Sequence, residues 1–165
     1  NVTHRVLAKL EEIGKLDAIV TQNIDGLHQL AGSKCVYEIH GTTHKNYCAS
    51  CGEKVGENFI FETSGIPRCP KCGGMIRPQV TLYEEGLPED AVRGAVDAIR
   101  KADTLIVAGT SLNVYPAASY VYEFRGGHLI VINKEPLHVQ LNSEKDLFIE
   151  ASMGQVFAAL EDALF

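Results

Sequence analysis

Long hydrophobic runs, an excess of positive charge and low-complexity segments are all missing from this sequence of 165 residues. No apolar run approaches the roughly 18 residues that a membrane-spanning helix needs, and the first residues do not show the pattern of a signal peptide. The net charge of -6 argues against a nucleic-acid-binding protein, which usually presents a basic face. An acidic surface tolerates a lysine-bearing partner. We therefore expect a cytoplasmic globular protein without membrane or direct nucleic-acid contacts.

The cysteine spacing predicts a metal site. Of the five cysteines, four form two Cys-x-x-Cys pairs that are separated by 17 residues, and these four are Cys48, Cys51, Cys69 and Cys72. The odd total disfavours a disulfide framework, and the spacing lies in the range that is typical of zinc sites. We expect one structural Zn²⁺ held by the four thiolates, with no open coordination position for catalysis. Cys35 is left over and is expected to be a small buried hydrophobe.

Hydrophobic periodicity divides the rest of the chain into helices and strands. Helices are predicted over 1–14, about 24–30, 88–101, from about 116 and over 153–164, and strands over 17–20, 36–39, 76–83, 104–108, 129–132 and 147–149. Alternation of helices with β-branched strands predicts an α/β fold whose parallel sheet is covered on both faces. The periodicity weakens around the cysteines, so we expect one domain over 1–41 and 76–165 and a small zinc-ribbon domain over 42–75.

Polar side chains follow two of the predicted strands. Asn23 and Asp25 come after the apolar run 18–20, and His40 comes after the run 36–39. Because open α/β sheets bind ligands at the carboxyl ends of their strands, we expect the three side chains to face one crevice. Simpler interpretations exist: Asp25 could serve merely as a cap of the next helix, and His40 could be a loop histidine that bonds to the backbone.

Two later strand ends carry small or polar residues. Gly109, Thr110 and Ser111 follow the strand 104–108, and the polar residues 133–135 follow the strand 129–132. Such strand ends suit phosphate or ribose contacts. A tight turn at each place is an equally good interpretation.

Taken together, six features resemble the sirtuin family of NAD-dependent protein-lysine deacylases in its bacterial form, and they occur in the family's order: TQNIDGLHQLAG, EIHG, the two cysteine pairs, RPQVTLYEEGLP, AGTSLNVYPAA and VINKEP. The resemblance implies a Rossmann-like NAD-binding domain, a four-cysteine zinc ribbon, and a cleft between them for NAD and an acylated lysine of a protein or peptide. The family's opening strand and phosphate loop are not among these features. The resemblance therefore implies that the first βα unit, the N-terminal part of the catalytic core, is missing and that the cofactor site is incomplete.

The resemblance also implies roles for individual residues. His40 matches the family's general base, and Asn23 and Asp25 match the other catalytic residues. The implied cofactor-binding residues are Gln22, Asn23, Ile24, Asp25, Gly109, Thr110, Ser111, Asn133, Lys134, Glu135, Ser152 and Met153. The implied substrate-binding residues are Val80, Thr81, Tyr83, Glu85, Gly86, Leu87, Leu112, Asn113 and Val114.

The implied reaction is NAD-dependent deacylation, such as deacetylation, which yields nicotinamide, O-acyl-ADP-ribose and free lysine. An imidazole suits the base because its proton equilibrium lies near neutral pH. Two places depart from the family. Glu84 stands where the family usually has Gly, and Thr81 and Leu82 replace an apolar and aromatic pair in the acyl-lysine tunnel.

Other functions stay open at this point. Mono-ADP-ribosyl transfer on the same scaffold is one alternative, and a non-catalytic, zinc-stabilised binding module is another, because the phosphate loop is missing. A zinc-ribbon nucleic-acid binder is disfavoured by the acidic charge balance. Whether the chain as written is active by itself is also open.

Overall fold

Helices and strands alternate through the computed structural model, which describes residues 1–137, 140–142 and 144–165. The helices are α1 (Val2–Glu12), α2 (Leu27–Leu30), α3 (Glu57–Glu62), α4 (Glu89–Lys101), α5 (Met153–Leu164) and a 3₁₀ helix (Ala117–Glu123). The strands are β1 (Ile19–Thr21), β2 (Val36–Glu38), β3 (Gly41–Cys48), β4 (Lys54–Val55), β5 (Ile76–Val80), β6 (Thr104–Ala108), β7 (His128–Asn133) and β8 (Leu147–Glu150). No helix in the described part of the chain has the length and apolar character needed to span a membrane.

The parallel strands confirm the predicted α/β fold, although they do not form one continuous sheet among the described residues. β1 pairs with β2 in one parallel sheet, and β7 lies between β6 and β8 in another.

Helices cover both faces of the three-stranded sheet, as the sequence predicts. Ile132 of β7 packs with Val6 of α1 and Phe157 of α5. The preceding residue, Val131, belongs to a second cluster that includes Phe124, just after the 3₁₀ helix. Neighbouring residues of a strand point to opposite faces, so each face has its own apolar contacts. Burial of each such side chain stabilises the fold by about 1.5–3 kcal/mol.

The first helix follows the sequence prediction closely. The side chain of Asn1 accepts a hydrogen bond from the backbone N–H of His4 at 3.3 Å, so Asn1 is the N-cap. Gly14 follows the helix with a φ of 68°. This left-handed conformation favours glycine and ends the helix there.

Three predicted elements differ from the structure. α2 begins at Leu27 and not near Ile24, because Gly26 is left-handed with a φ of 64° and the Asp25 carboxylate accepts a hydrogen bond from the Leu27 N–H at 3.1 Å. The helix expected from about 116 is a 3₁₀ helix over Ala117–Glu123. The β-prone run 76–83 forms a strand only as far as Val80, where its pairing with β3 ends.

An antiparallel sheet carries Cys48, and Cys51 lies in the turn between two of its strands. β3 is its central strand and pairs with β4 on one side and β5 on the other. Its small core consists of Cys48, Cys69 and Ile76, and Phe59 and Ile60 of α3 pack against this core. The pairing of β3 with β5 shifts register between Thr42 and Asn46, which marks a bulge in β3.

Candidate functional site

The ends of β1 and β2 bring His40 to the segment that begins at Gln22. Nδ1 of His40 lies 3.1 Å from the backbone carbonyl oxygen of Gln22. A carbonyl oxygen only accepts hydrogen bonds, so Nδ1 carries a proton and Nε2 of the neutral ring carries the free lone pair. The ring is half-buried, whereas Asn23 and Asp25 are exposed. The bond to backbone therefore orients His40 and leaves the basic nitrogen available.

A close approach of two backbones joins His40 to the predicted substrate-binding residues. The carbonyl oxygen of His40 accepts a hydrogen bond from the N–H of Thr81 at 2.9 Å, and Gly41 pairs with Val80. Gly41 has a φ of 78°, and a side chain there would overlap the backbone carbonyl of Gln79. Glycine after His40 is therefore required for Val80 and Thr81 to lie beside it.

A cavity of about 200 Å³ adjoins this strand end. Its lining includes four of the predicted substrate-binding residues, namely Val80, Thr81, Glu85 and Gly86. The remaining lining residues are Tyr47, Gln79 and Pro88. Sequence reasoning missed Tyr47, because its position directly before Cys48 placed it among residues assigned to the zinc ribbon.

An ion pair fixes the turn beside this cavity. Arg77 donates to both carboxylate oxygens of Glu85, at 2.7 and 3.0 Å, and the Leu82 N–H donates to the same carboxylate at 2.9 Å. The Arg77 guanidinium and the Leu82 amide lower the pKa of Glu85 to about 2. The carboxylate of Glu85 is thus held by its own turn, and the guanidinium lies over the ring of Tyr47 at 5.9 Å.

The other predicted substrate-binding residues have mixed environments. Tyr83 is fully exposed, and Asn113 and Val114 are exposed as well. Leu87 is half-buried. The side chain of Leu112 is partly buried and packs against the apolar cluster of Val107, Leu129 and Val131.

A second cavity of about 350 Å³ lies at the carboxyl ends of β6 and β7. Seven predicted cofactor-binding residues line it, namely Gly109, Thr110, Ser111, Asn133, Lys134, Glu135 and Met153. Ile132 and Ala151 also line it, and no sequence pattern pointed to these two apolar residues. Ser152 instead caps α5 by accepting a hydrogen bond from the Gln155 N–H at 3.3 Å. Gln22, Asn23, Ile24 and Asp25 do not line this cavity, and of these four Gln22 contacts His40 through its backbone carbonyl oxygen.

The four paired cysteines come together in one cluster. Their sulfur atoms all lie within 4.8 Å of one another, with 3.5 Å between Cys48 and Cys72 and 3.7 Å between Cys51 and Cys69. Four sulfurs at about 2.3 Å from a tetrahedral Zn²⁺ are about 3.8 Å apart, so the cluster fits one such ion. Cys35 lies apart from the cluster and is half-buried.

The electrostatics of the cluster also favour a cation. Burial raises the pKa of Cys48, but N–H groups of Cys51 and Ser50 outweigh it and lower the pKa to about 6. The Gly74 amide lowers the pKa of Cys72, but the sulfurs of Cys51 and Cys48 raise it to about 12. Four thiols this close cannot all ionise without a positive charge among them.

Two residues that the sequence did not single out hold the loop after β1. The N–H and the hydroxyl of Thr43 both donate to the carbonyl oxygen of Ile24 at 3.0 Å. Nε2 of His44 lies 3.0 Å from the carbonyl oxygen of Asp25. No sequence pattern pointed to this contact, because the two segments lie 19 residues apart.

Comparison with known proteins gives consistent matches. The model of the Sir2 family matches residues 1–116. The chain is 56% identical over 163 residues to an NAD-dependent protein deacetylase of Clostridium perfringens (strain 13 / Type A), a match that covers 98% of the chain and 66% of the relative. It is 54% identical over 157 residues to an NAD-dependent protein deacetylase of Clostridium acetobutylicum, covering 94% and 63%. The chain thus spans just under two thirds of the length of these curated relatives.

A solved structure agrees with the family match. A Sir2 protein solved with a p53 peptide and NAD⁺ superposes with a TM-score of 0.87 at 38% identity, over 99% of this chain and 69% of that one. The family model and this structure each cover most of the chain, including the segment that carries His40 and the four paired cysteines. The chain belongs to the Sir2 family.

Proposed function

We propose that this chain carries a large part of the active site of an NAD-dependent protein-lysine deacylase. The main support is the position of His40, which bonds through Nδ1 to the carbonyl of Gln22 and through its own carbonyl to the N–H of Thr81. One imidazole is thus next to both the predicted cofactor loop and the predicted substrate segment. The names of the relatives, NAD-dependent protein deacetylases, agree with this assignment.

In the proposed reaction His40 is the general base. Its Nε2 would accept a proton from a ribose hydroxyl, while Nδ1 keeps its proton and its bond to Gln22. The exposed side chains of Asn23 and Asp25 would orient the nicotinamide end and a water molecule, which is a positioning role. Bound NAD supplies the electrophilic ribose carbon that the acyl oxygen of the lysine attacks.

We assign the remainder of the cofactor to the 350 Å³ cavity. Thr110 and Ser111 would donate hydroxyl hydrogen bonds to phosphate or ribose oxygens, as is usual at the carboxyl ends of parallel strands. Asn133, Lys134 and Glu135 would hold the ribose of the adenosine. Met153 would pack near the adenine, and Ser152 would contribute only through its position at the start of α5.

An acylated lysine of a protein or peptide is the proposed substrate. The acyl-lysine would enter beside Val80 and Thr81, and the flanking peptide would pair with backbone near Gly86 and Asn113. Backbone pairing of this kind accepts many peptide sequences. A structure in the family with an acetylated peptide and another with a propionylated peptide agree with this substrate class.

We further propose that Cys48, Cys51, Cys69 and Cys72 hold one structural Zn²⁺. The sulfur geometry fits a closed tetrahedral site, which stabilises the small core around β3 and leaves no position for a substrate. Free thiols of this kind persist in a reducing compartment, so we propose a cytoplasmic location.

The direct test is nicotinamide release from NAD, with and without an acetyl-lysine peptide. We expect release that requires the peptide and that is matched by deacetylated peptide in equal amount. The full-length relative from Clostridium perfringens, assayed in parallel, is the positive control. Release without the peptide would contradict the proposal in favour of ADP-ribosyl transfer or NAD hydrolysis. No release from this chain, with an active relative, would favour a binding module.

A further inference from the structure

A bulge in β3 frees two residues to bind the loop that follows β1. Between Thr42 and Asn46 the strand shifts its register against β5, so Thr43 and His44 are not in the ladder. Thr43 hydrogen-bonds instead to the carbonyl oxygen of Ile24 through its N–H and its hydroxyl, and His44 contacts the carbonyl oxygen of Asp25 through Nε2. Each of these three distances is 3.0 Å. Bulges next to active sites commonly redirect side chains in this way.

His44 has an acceptor on each side of its ring. Nε2 contacts the carbonyl oxygen of Asp25, and Nδ1 contacts the carboxylate of Glu57 at the start of α3. A backbone carbonyl and an ionised carboxylate only accept hydrogen bonds, so both contacts are satisfied when both ring nitrogens carry a proton. The contacts therefore describe an imidazolium. The Asp25 carbonyl and the Glu57 carboxylate accordingly raise the pKa of His44 above its usual value of 6.5.

Gly26 makes room for this ring. It has a φ of 64°, and a side chain there would overlap the imidazole of His44. The ring therefore lies directly against the turn that separates Asp25 from α2. The same ring contacts Glu57, so His44 links that turn to the start of α3.

We propose that protonated His44 is a positioning residue, which fixes the segment Ile24–Gly26 to the antiparallel sheet and makes NAD affinity dependent on pH. The inference rests on the proposed function, in which Asn23 and Asp25 orient the nicotinamide end. It assigns His44 no contact with the reacting atoms. His44 acts only by holding the backbone on which those side chains are carried.

The expected pH dependence has a definite direction. Because the pKa of folded His44 is raised above 6.5, its contribution is complete below pH 6.5 and is lost as the pH rises through the folded value. The charged groups that face it are the carboxylates of Glu57 and, farther away, Glu38 on β2. Lys45 follows it on β3 and is exposed.

The first test is a histidine NMR titration of the chain. We expect His44 to have both ring nitrogens protonated at pH 6.5 and to titrate above 6.5, and we expect Glu57→Gln to lower its pKa. The matched control is Glu53→Gln, which removes the carboxylate that lies just before β4 and pairs with Lys71. If His44 titrated at or below pH 6.5, or if its pKa responded equally to both substitutions, the contact of protonated His44 with Glu57 would be refuted.

The second test measures NAD affinity by calorimetry at pH 6.0 and pH 8.5. We expect His44→Gln to weaken binding roughly three- to tenfold at the lower pH and to have little effect at the higher pH. The amide of Thr43, which reports the adjacent contact with Ile24, should exchange faster in the variant. Equal affinities of wild type and variant at both pH values would overturn the positioning role. If the wild type did not bind NAD but His44 titrated as expected by NMR, the proposed function would be overturned. The contacts of protonated His44 with Asp25 and Glu57 would still be supported.

Discussion

Nδ1 of His40 lies 3.1 Å from the carbonyl oxygen of Gln22, so the backbone of one strand end orients the imidazole of the next. This contact needs no other side chain, because a peptide carbonyl fixes the tautomer by itself. The same residue bonds through its carbonyl to Thr81. The position of the proposed base is therefore set by two backbone contacts, one to Gln22 and one to Thr81.

Gly41→Ala should destabilise the chain by at least about 2 kcal/mol, since it combines a left-handed backbone with an overlap against Gln79. Urea unfolding measures the effect. Gly14→Ala is the matched control, because Gly14 has a similar φ of 68° and no neighbour within 4 Å. Equal losses in the two variants would show that the close approach behind His40 is not required.

The turn beside the 200 Å³ cavity should be insensitive to mild acid. The pKa of Glu85 is lowered to about 2, so its contribution to stability is present above its ordinary value of 4.5 and is lost as the pH falls through about 2. Arg77→Gln should raise the pKa of Glu85 toward 4.5. An NMR titration of the Glu85 carboxyl carbon measures both values, and a curve unchanged by the substitution would contradict the ion pair.

Glu84→Gly should stabilise the chain by about 0.5–1 kcal/mol. Glu84 has a φ of 70°, a conformation that costs roughly 1 kcal/mol or more for a residue with a side chain. The melting temperature should rise by about 2 °C. Glu89→Gly, in the first turn of α4, is the control and should lower it. A lower melting temperature for Glu84→Gly would mean that the carboxylate makes a stabilising contact.

Cys48→Ser should release the metal and unfold the antiparallel sheet. The serine oxygen is a poor replacement for a thiolate, and the small core of this sheet includes Cys48 itself. Metal analysis should give about one zinc per wild-type chain and close to none for the variant. Cys35→Ser is the matched control and should keep the metal, because Cys35 lies outside the cluster. Zinc retained by Cys48→Ser would refute the ligand set.

Local signals were enough to predict much of the fold. Hydrophobic periodicity identifies α1, and the β-branched runs identify β6 and β7, since these features depend on residues close in the sequence. The spacing predicted that Cys48 and its three partners lie together, as they do. The role of His40 was predicted from the resemblance together with its place after a strand.

Other features depend on contacts between distant segments, which spacing does not encode. The division of the parallel strands into two sheets, the bulge at Thr43 and the packing of Tyr47 against Arg77 are of this kind. The late start of α2 had a local cause in Gly26, but the helical pattern around it concealed the left-handed turn.

The most direct test of the proposed chemistry is the formation of O-acetyl-ADP-ribose from NAD and an acetyl-lysine peptide, measured by mass spectrometry for the wild type and for His40→Ala. Loss of the general base should reduce the rate by at least about 100-fold, while circular dichroism and zinc content stay unchanged. A His40→Ala variant that forms the product at the wild-type rate would contradict the assignment of His40 as the base.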